Sequence, residues 1–405
     1  DPPPGVDNGR LTPDPNRSLS MSIPGQLNPP PRLLMGPGPS DVHPRVLTAM
    51  ATPLLGHLDP AFLDIMADTQ SMLKTVYRTA NPLTFPISAT GMAGMEACVV
   101  NLIEPGEKMV VCNNGFFGSR MVDVAGRARA EVTVLEKPWG QVFDLNELRE
   151  TLQKVRPKAL GIVHAETSTG ARQPLEEVGK LCRETDTLLI VDAVTSLGCI
   201  PVEVDAWGID AIYSCSQKGL SCPPGLSPIS FSPRAEEAMS RRKTKVQSWY
   251  LDLSMVRQYW GTDRAYHHTA PITMNYALRE GLRIVLEEGL EVRWERHLRN
   301  HRALKAGLNA LGLAYTAQEG HQLPQLNAVR IPSGVDDLSV RKGLLTEFGI
   351  EIGGGLGAFK GQVWRVGLMG YNSKPSAVFA VLAALESCLG QPGVGVGAAE
   401  RAYAG

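Results

Sequence analysis

The chain has 405 residues, 40 Lys+Arg against 41 Asp+Glu, a formal net charge of -1, 43% hydrophobic and 20% charged residues. This is globular composition with room for two or three domains, and it argues against disorder over most of the chain. Balanced charge gives no long-range attraction to nucleic acid or acidic lipid, and no stretch approaches 18 consecutive apolar residues, so neither a nucleic-acid nor a membrane role is expected.

In chain order, residues 1–32 hold a proline-rich segment, with nine prolines in the first 31 residues and no apolar periodicity. Such a segment reads as an arm, partly disordered, that lies across something else, and it lacks the apolar core of a secretory signal. Asp1 is not an initiator, and Met21-Ser22 is the expected start; peptides from residues 1–20 in the native protein would refute that.

From Pro82 onward, apolar runs alternate with helical patterns. The predicted strands are Leu83–Ser88, Lys108–Cys112, Glu131–Leu135, Ala159–His164, Leu188–Asp192, Ala211–Ser214 and Leu226–Phe231. Leu188–Asp192 is apolar at successive positions, which burial on both faces of a parallel sheet demands. Amphipathic stretches such as Leu175–Glu184 lie between the runs. The alternation predicts a doubly wound α/β domain over 33–285. A helical region from Asn275 to Leu311 then reads as a connector into a smaller α+β domain over 286–390, with strands at Asn327–Ile331 and Gly361–Gly367 and helices at Asp337–Phe348 and Pro375–Leu389. The Gly/Ala-rich residues 391–405 read as a flexible tail.

The seven cysteines are odd in number, lack CxxC spacing and sit mostly in apolar runs, which predicts reduced thiols and a cytoplasmic setting. His297 and His301 are four apart in a helical stretch; with no third ligand suggested, they read as part of a polar helix face among Arg293, Arg296 and Arg299. The short basic run Arg241, Arg242, Lys243, Lys245 reads as a solvated helix end.

Doubly wound folds gather ligands at the carboxyl ends of their strands. Three features fall there. Thr90-Gly91 closes a strand and opens a helix, where free amides beside a hydroxyl make an anion site; no Lys follows as a P-loop requires. Asp192 ends the most apolar strand, where a carboxylate must be paired or exposed. Lys218 ends Ser214-Cys-Ser-Gln-Lys218, and a lysine at the tip of a buried strand can lose protonation and do Schiff-base chemistry. Each alone has a bland reading as a turn, a helix cap or a surface amine. Together they supply a phosphate cradle, an anion and an amine, the set that pyridoxal 5'-phosphate (PLP) needs.

At this point the sequence resembles the class V, fold-type I PLP-dependent aminotransferases, most closely their alanine–glyoxylate and serine–pyruvate group. The resemblance spans residues 33–390. It rests on Leu34-Met-Gly-Pro-Gly-Pro-Ser40, Asn81-Pro-Leu-Thr84, Glu166-Thr-Ser-Thr-Gly170, Val191-Asp-Ala-Val-Thr-Ser-Leu-Gly198, Ser214-Cys-Ser-Gln-Lys218, Tyr266-His-His-Thr269 and Trp364-Arg-Val-Gly-Leu368. It implies the fold-type I architecture, a large seven-stranded mostly parallel sheet with a smaller C-terminal domain, and ping-pong transfer of an amino group from alanine or serine to glyoxylate or pyruvate. It implies that Lys218 is the Schiff-base lysine and proton carrier and that Asp192 pairs with the pyridine nitrogen. Val194 would pack on the ring, Thr90, Gly91 and Gln217 would hold the phosphate, and Thr167 would sit near the phenolic oxygen. Tyr266 and Thr269 would reach the neighbouring subunit's phosphate, implying a homodimer with shared sites. Arg365 would grip the substrate carboxylate through two parallel hydrogen bonds, and Gly36 would line the substrate pocket.

Two positions depart from the family. Phe117 stands where Trp commonly stacks on the ring, and Met92 follows the cradle glycine where His is frequent. Serine–glyoxylate, aspartate and 2-aminoethylphosphonate aminotransferases share the pattern and stay open. A cysteine desulfurase would need a mobile catalytic cysteine, for which Cys222 is the candidate. A catalytically silent binding protein is disfavoured by Lys218 and Asp192 standing together. An NAD-dependent oxidoreductase is rejected because the nearest fingerprint, Gly353–Ala358, is followed by a strand-like segment where a helix is required.

Overall fold

The computed structural model describes residues 24–405. Its contacts divide the chain into Asp1–Pro31 and Arg32–Gly405. Within the first unit, residues 24–31 are exposed and carry no regular structure; the expected start at Met21 lies outside the described residues.

The helix α1 (Pro60–Tyr77) precedes strand β1 (Leu83–Ile87), helix α2 (Gly91–Leu102), β2 (Lys108–Asn113), helix α3 (Phe116–Arg127) and β3 (Glu131–Glu136). The strands β4 (Ala159–Val163), β5 (Leu188–Asp192), β6 (Ala211–Tyr213) and β7 (Ser227–Phe231) complete a seven-stranded sheet of order β1-β7-β6-β5-β4-β2-β3. Only β7 runs antiparallel to its neighbours. All seven predicted strands are present, with ends within one residue of those read from the apolar runs. Each of β1, β4, β5, β6 and β7 is buried at every position, as helices on both faces require. Two apolar clusters, one per face, supply this core, each fully buried Leu or Phe contributing about 1.5–3 kcal/mol.

The register sets the site. Val163 on β4 pairs with Asp192 on β5, and Asp192 with Tyr213 on β6, so three strands end at one level. At that edge β1 passes through Thr90 into α2.

Helices α4 (Ile272–Glu288) and α5 (Leu290–Ala310) follow. The expected connector is thus two helices, broken at Gly289, whose φ of 87° is open to glycine. A three-stranded antiparallel sheet, β8 (Leu326–Arg330), β10 (Val363–Gly367) and β9 (Gly353–Gly354) in that order, packs with helix α6 (Pro375–Leu389) around a third apolar cluster. Beyond Gly353–Ala358 the chain passes through one short 3-10 turn into β10, so the strand expected there is present and no helix follows the fingerprint.

Residues 391–405 depart from their reading as a flexible tail. Val394–Ala404 forms helix α7, which packs on α5; Ala399 is fully buried and the Tyr403 hydroxyl donates to Asn300. Small residues were mistaken for looseness, whereas they permit close helix approach. The His297/His301 reading also needs correction, because both imidazoles point inward, 0% and 6% exposed. No cluster of three metal-ligating side chains exists among the described residues. Arg242 ends a helix as expected, but its guanidinium donates to the carbonyls of Asn101 and Ile103 instead of facing solvent. No helix of the described residues is long and apolar enough to cross a membrane.

Candidate active site

A cavity opens at the carboxyl edge of the large sheet. Thr90, Gly91, Met92, Phe117, Thr167, Asp192, Val194, Gln217 and Lys218 all line it, so nine of the sequence-predicted residues converge.

The cradle is the N-terminus of α2. Thr90 is its N-cap in extended conformation, and no side chain caps the helix; the Ala93 N–H turns back to the Thr90 carbonyl at 2.9 Å, while the Gly91 and Met92 amides have no hydrogen-bond partner among the described residues. A β-carbon at Gly91 would sit 3.1 Å from Cys215 Cβ and 3.3 Å from Val194 Cγ2, so glycine keeps the floor of the cradle low. Gln217 completes it; its buried amide oxygen has no hydrogen-bond partner among the described residues.

Asp192 is 3% exposed. Its carboxylate accepts from the Val194 N–H at 2.9 Å and the Tyr213 hydroxyl at 2.7 Å. Burial nevertheless pushes its pKa up to about 7, since two neutral donors do not replace a cation. Lys218 faces the cavity, and burial lowers its pKa, with the Arg365 charge acting in the same sense.

Lys218 is held from behind by the segment Met35–Ser40. Its Nζ donates to the Pro37 carbonyl, the Ser40 hydroxyl donates to the Lys218 carbonyl at 2.8 Å, and the Ser40 N–H donates to the Gln217 carbonyl at 2.9 Å. Gly38 has φ of 104°, and a β-carbon there would collide with Lys218 Nζ. Gly38→Ala is therefore expected to cost about 1–3 kcal/mol in urea unfolding and to lower turnover by displacing the amine.

Phe117 owes its place to Glu166, which sequence reading quoted in a motif but gave no role. This carboxylate is fully buried and accepts from the Phe117 and Gly118 amides, at 3.0 and 3.2 Å, and from Ser168. It caps α3, and burial raises its pKa. Six further residues line the cavity, Tyr213 and Arg120 among them. Tyr213 had only its strand position as a signal. Arg120 sits over the Phe116 and Phe117 rings, 4.8 and 5.4 Å from their centroids.

Four predicted residues lie outside the cavity lining. Arg365, on β10 and 6% exposed, donates from Nε to the Gly354 carbonyl at 2.8 Å. That bond orients the guanidinium, and no carboxylate pairs with it among the described residues. Gly36 packs against Gly367 and Gly353: a β-carbon at Gly367 would strike the Gly36 carbonyl and one at Gly353 would strike Pro37, whereas one at Gly36 would meet only ordinary contacts, the nearest at 3.6 Å. Tyr266 is 61% exposed, with its ring against His57, and Thr269 is exposed beyond it. Cys222 is fully buried, unlike a mobile catalytic cysteine.

A buried acid, a largely enclosed amine and an uncapped helix N-terminus at the strand ends of a doubly wound sheet define a fold-type I, PLP-type site, and the donors present fit that group. Free amides and the Thr90 hydroxyl at the start of α2 would suit its phosphate, and the Asp192 carboxylate would suit its pyridinium nitrogen.

The comparisons agree. The model of the family "Aminotransferase class-V" matches residues 36–375. The (S)-ureidoglycine–glyoxylate transaminase of Bacillus subtilis (strain 168) is 42% identical over 402 residues, covering 95% of this chain and 97% of that protein. The alanine–glyoxylate aminotransferase of Mus musculus is 40% identical over 367 residues, covering 90% and 89%. The crystal structure of an alanine–glyoxylate aminotransferase from Nostoc sp. superposes with a TM-score of 0.90 at 54% identity, covering 91% and 98%. The chain belongs to the class V aminotransferases; it is a PLP-dependent transaminase of fold type I.

Proposed function

We propose that this enzyme moves an amino group from alanine or serine to glyoxylate or pyruvate, with Lys218 as its reactive amine. The convergence of Lys218, Asp192 and the uncapped α2 N-terminus on one cavity carries this reading. The glyoxylate-using relatives support the acceptor.

When bound, PLP supplies an aldehyde that condenses with amines and a protonated ring that accepts the electron pair left on the substrate's α-carbon. Thr90, Gly91 and Gln217 would hold its phosphate. Asp192, braced by Tyr213 and Val194, would keep the ring nitrogen protonated, which also relieves the cost of its own buried charge. Phe117 and Val194 would bound the ring faces, Met92 would close one side, and Thr167 would sit by the phenolic oxygen. Lys218 Nζ, with its pKa lowered by burial, would take the proton from the substrate α-carbon and return it on the other side of the transfer. Arg365 would receive the substrate carboxylate on its two free terminal nitrogens. Gly36 would leave space beside it.

Arg365→Ala is expected to raise KM for both the amino and the oxo acid by about tenfold or more, because each carries the carboxylate. Steady-state kinetics on both substrates would check it, and unchanged KM values would remove Arg365 from the site.

The first-named relative adds (S)-ureidoglycine as a donor to be tested beside alanine, serine, glycine, aspartate and aminoethylphosphonate. Turnover with glyoxylate confined to alanine and serine would support the proposal; turnover confined to another donor would replace it.

The same reading includes a homodimer and a small C-terminal domain over 286–390. Exposed large apolar side chains support the dimer: Leu54, Leu58, Trp249, Tyr250 and Tyr266, with Tyr266 against His57, Tyr250 against His268 and Trp249 stacked on His267. In that assembly Tyr266 and Thr269 would reach the partner's phosphate site. Sedimentation at micromolar concentration would test it. A cytoplasmic location is supported by cysteines that are all free and buried, save half-buried Cys388.

A further inference from the structure

The reacting amine and the carboxylate grip stand on different sheets, Lys218 after β6 and Arg365 on β10. A substrate of three carbons must touch both at once, so their separation has to be held tightly; a misplacement of 1 Å can cost about 10²-fold in rate. The structure contains a polar junction at the place where that separation is set.

Arg293 on α5 is 3% exposed. Its Nε donates to the Gly198 carbonyl at 2.8 Å and one terminal nitrogen to the Gly219 carbonyl at 2.6 Å. Gly219 follows Lys218 directly, and Gly198 ends the turn that begins at Asp192. The other terminal nitrogen meets Glu288 at 2.6 Å. Glu288 in turn accepts from Arg296, at 2.5 and 3.0 Å. Arg296 then donates to the carbonyls of Gly370 and Ser373, at 3.0 and 2.5 Å, in the turn that follows β10. His297 binds the same turn, its Nε2 accepting the Gly370 N–H at 3.0 Å while its Nδ1 donates to the Arg293 carbonyl at 2.7 Å. Ser221 closes the circuit by accepting the Tyr371 N–H at 2.8 Å. Gly370, with φ of 57°, allows the approach, since a β-carbon there would strike Ser221 and the Gly219 carbonyl.

One helix thus reads both loops. We infer that Glu288, Arg293, Arg296 and His297 are positioning residues that fix the distance between Lys218 and Arg365 through the backbones of Gly198, Gly219 and Gly370. The inference rests on the proposed roles of Lys218 and Arg365. Glu288 is the link that makes the two arginines one unit. Without it, two guanidiniums face each other with no anion between, and each anchor acts alone.

Arg293→Met is the most drastic variant and can fail to fold, so Glu288→Gln and Arg296→Lys carry the test in the cofactor-loaded protein. Two readouts apply. One is the Kd of 2-methylalanine, which has no α-hydrogen and is not turned over, from visible absorbance. The other is the α-deuterium isotope effect on kcat/KM for alanine. Each variant is expected to weaken 2-methylalanine by about tenfold and to raise the isotope effect, since proton transfer by a misplaced Lys218 becomes slower than the other steps. A lowered melting temperature with Kd and isotope effect unchanged would overturn the inference and leave the junction merely structural. Lys218→Ala and Arg365→Ala run alongside. If Lys218→Ala still turns over, or Arg365→Ala keeps its Kd, the underlying site reading fails and takes the inference with it. If both controls lose function while Glu288→Gln and Arg296→Lys match the parent, the positioning claim alone falls.

Discussion

Lys218→Ala is expected to retain PLP and lose turnover by at least about 10⁴-fold, the upper end of what one proton-transfer group supplies. The two halves of that expectation have separate origins in the structure. Retention follows because the cradle is built mainly from backbone amides at the start of α2, with Thr90 and Gln217, and the ring site from Asp192, Phe117 and Val194. None of these depends on the lysine side chain. Loss follows because the other titratable groups near the cavity cannot substitute. Cys215 is buried with its pKa pushed up to about 12, Tyr213 is committed to Asp192, and Arg365 remains charged. Absorbance of the purified variant and a pyruvate-release assay would check both halves. A variant that turns over normally would remove Lys218 from the chemistry.

Asp192→Asn is expected to separate stability from function. In the cofactor-free protein the Asp192 carboxyl has no cation against it, and burial raises its pKa from 3.8 to about 7. A raised folded pKa means that folding favours the protonated acid. Stability of the cofactor-free chain therefore falls as pH rises from about 4 towards 7, and the penalty is full above that, on the order of 4 kcal/mol at most. Asparagine does not ionise. Its amide oxygen can accept from Val194 and its amide nitrogen can donate to the Tyr213 hydroxyl. The variant without cofactor should thus be more stable than the parent at pH 8, and the difference should vanish near pH 4. With cofactor bound the order reverses in activity. Loss of the charge that holds the ring protonated should lower kcat by about 10³-fold. Urea melts of both cofactor-free proteins from pH 4 to 8, with kcat of the loaded forms, would show it. Equal melts across that range would mean that Asp192 is not a stored electrostatic cost.

These effects depend on side chains that differ in how far the sequence revealed them. The seven strands of the large sheet were legible because parallel central strands are apolar without interruption. Their ends could be read within a residue, and Thr90, Gly91 and Asp192 were legible because each falls at or just past such an end; Lys218, expected at a strand tip, stands instead in the turn beyond Tyr213. What supports them was not. Ser40 meets Lys218 from 178 residues away, and Gly38 and Glu166 likewise act on distant partners, Glu166 on the Phe117 amide across 49 residues. No local pattern encodes such pairings. The inward turn of His297 was hidden because a helix rich in Arg looks solvated, whereas Arg293 and Arg296 bury their charge against carbonyls and Glu288. The break at Gly289 was masked because the amphipathic pattern continues through it. Residues 391–405 were misread on composition, since Gly and Ala can mark either a loose tail or a closely packed helix.

The most direct measurement is a single half-reaction. The PLP-loaded enzyme, isolated from free cofactor and mixed with L-alanine alone, should lose its yellow colour and release one pyruvate per subunit. Glyoxylate added to that protein should restore the colour and yield one glycine per subunit. No oxo acid released from either alanine or serine, or no amino acid formed on adding either glyoxylate or pyruvate, would contradict the assignment of this site as a small-substrate transaminase.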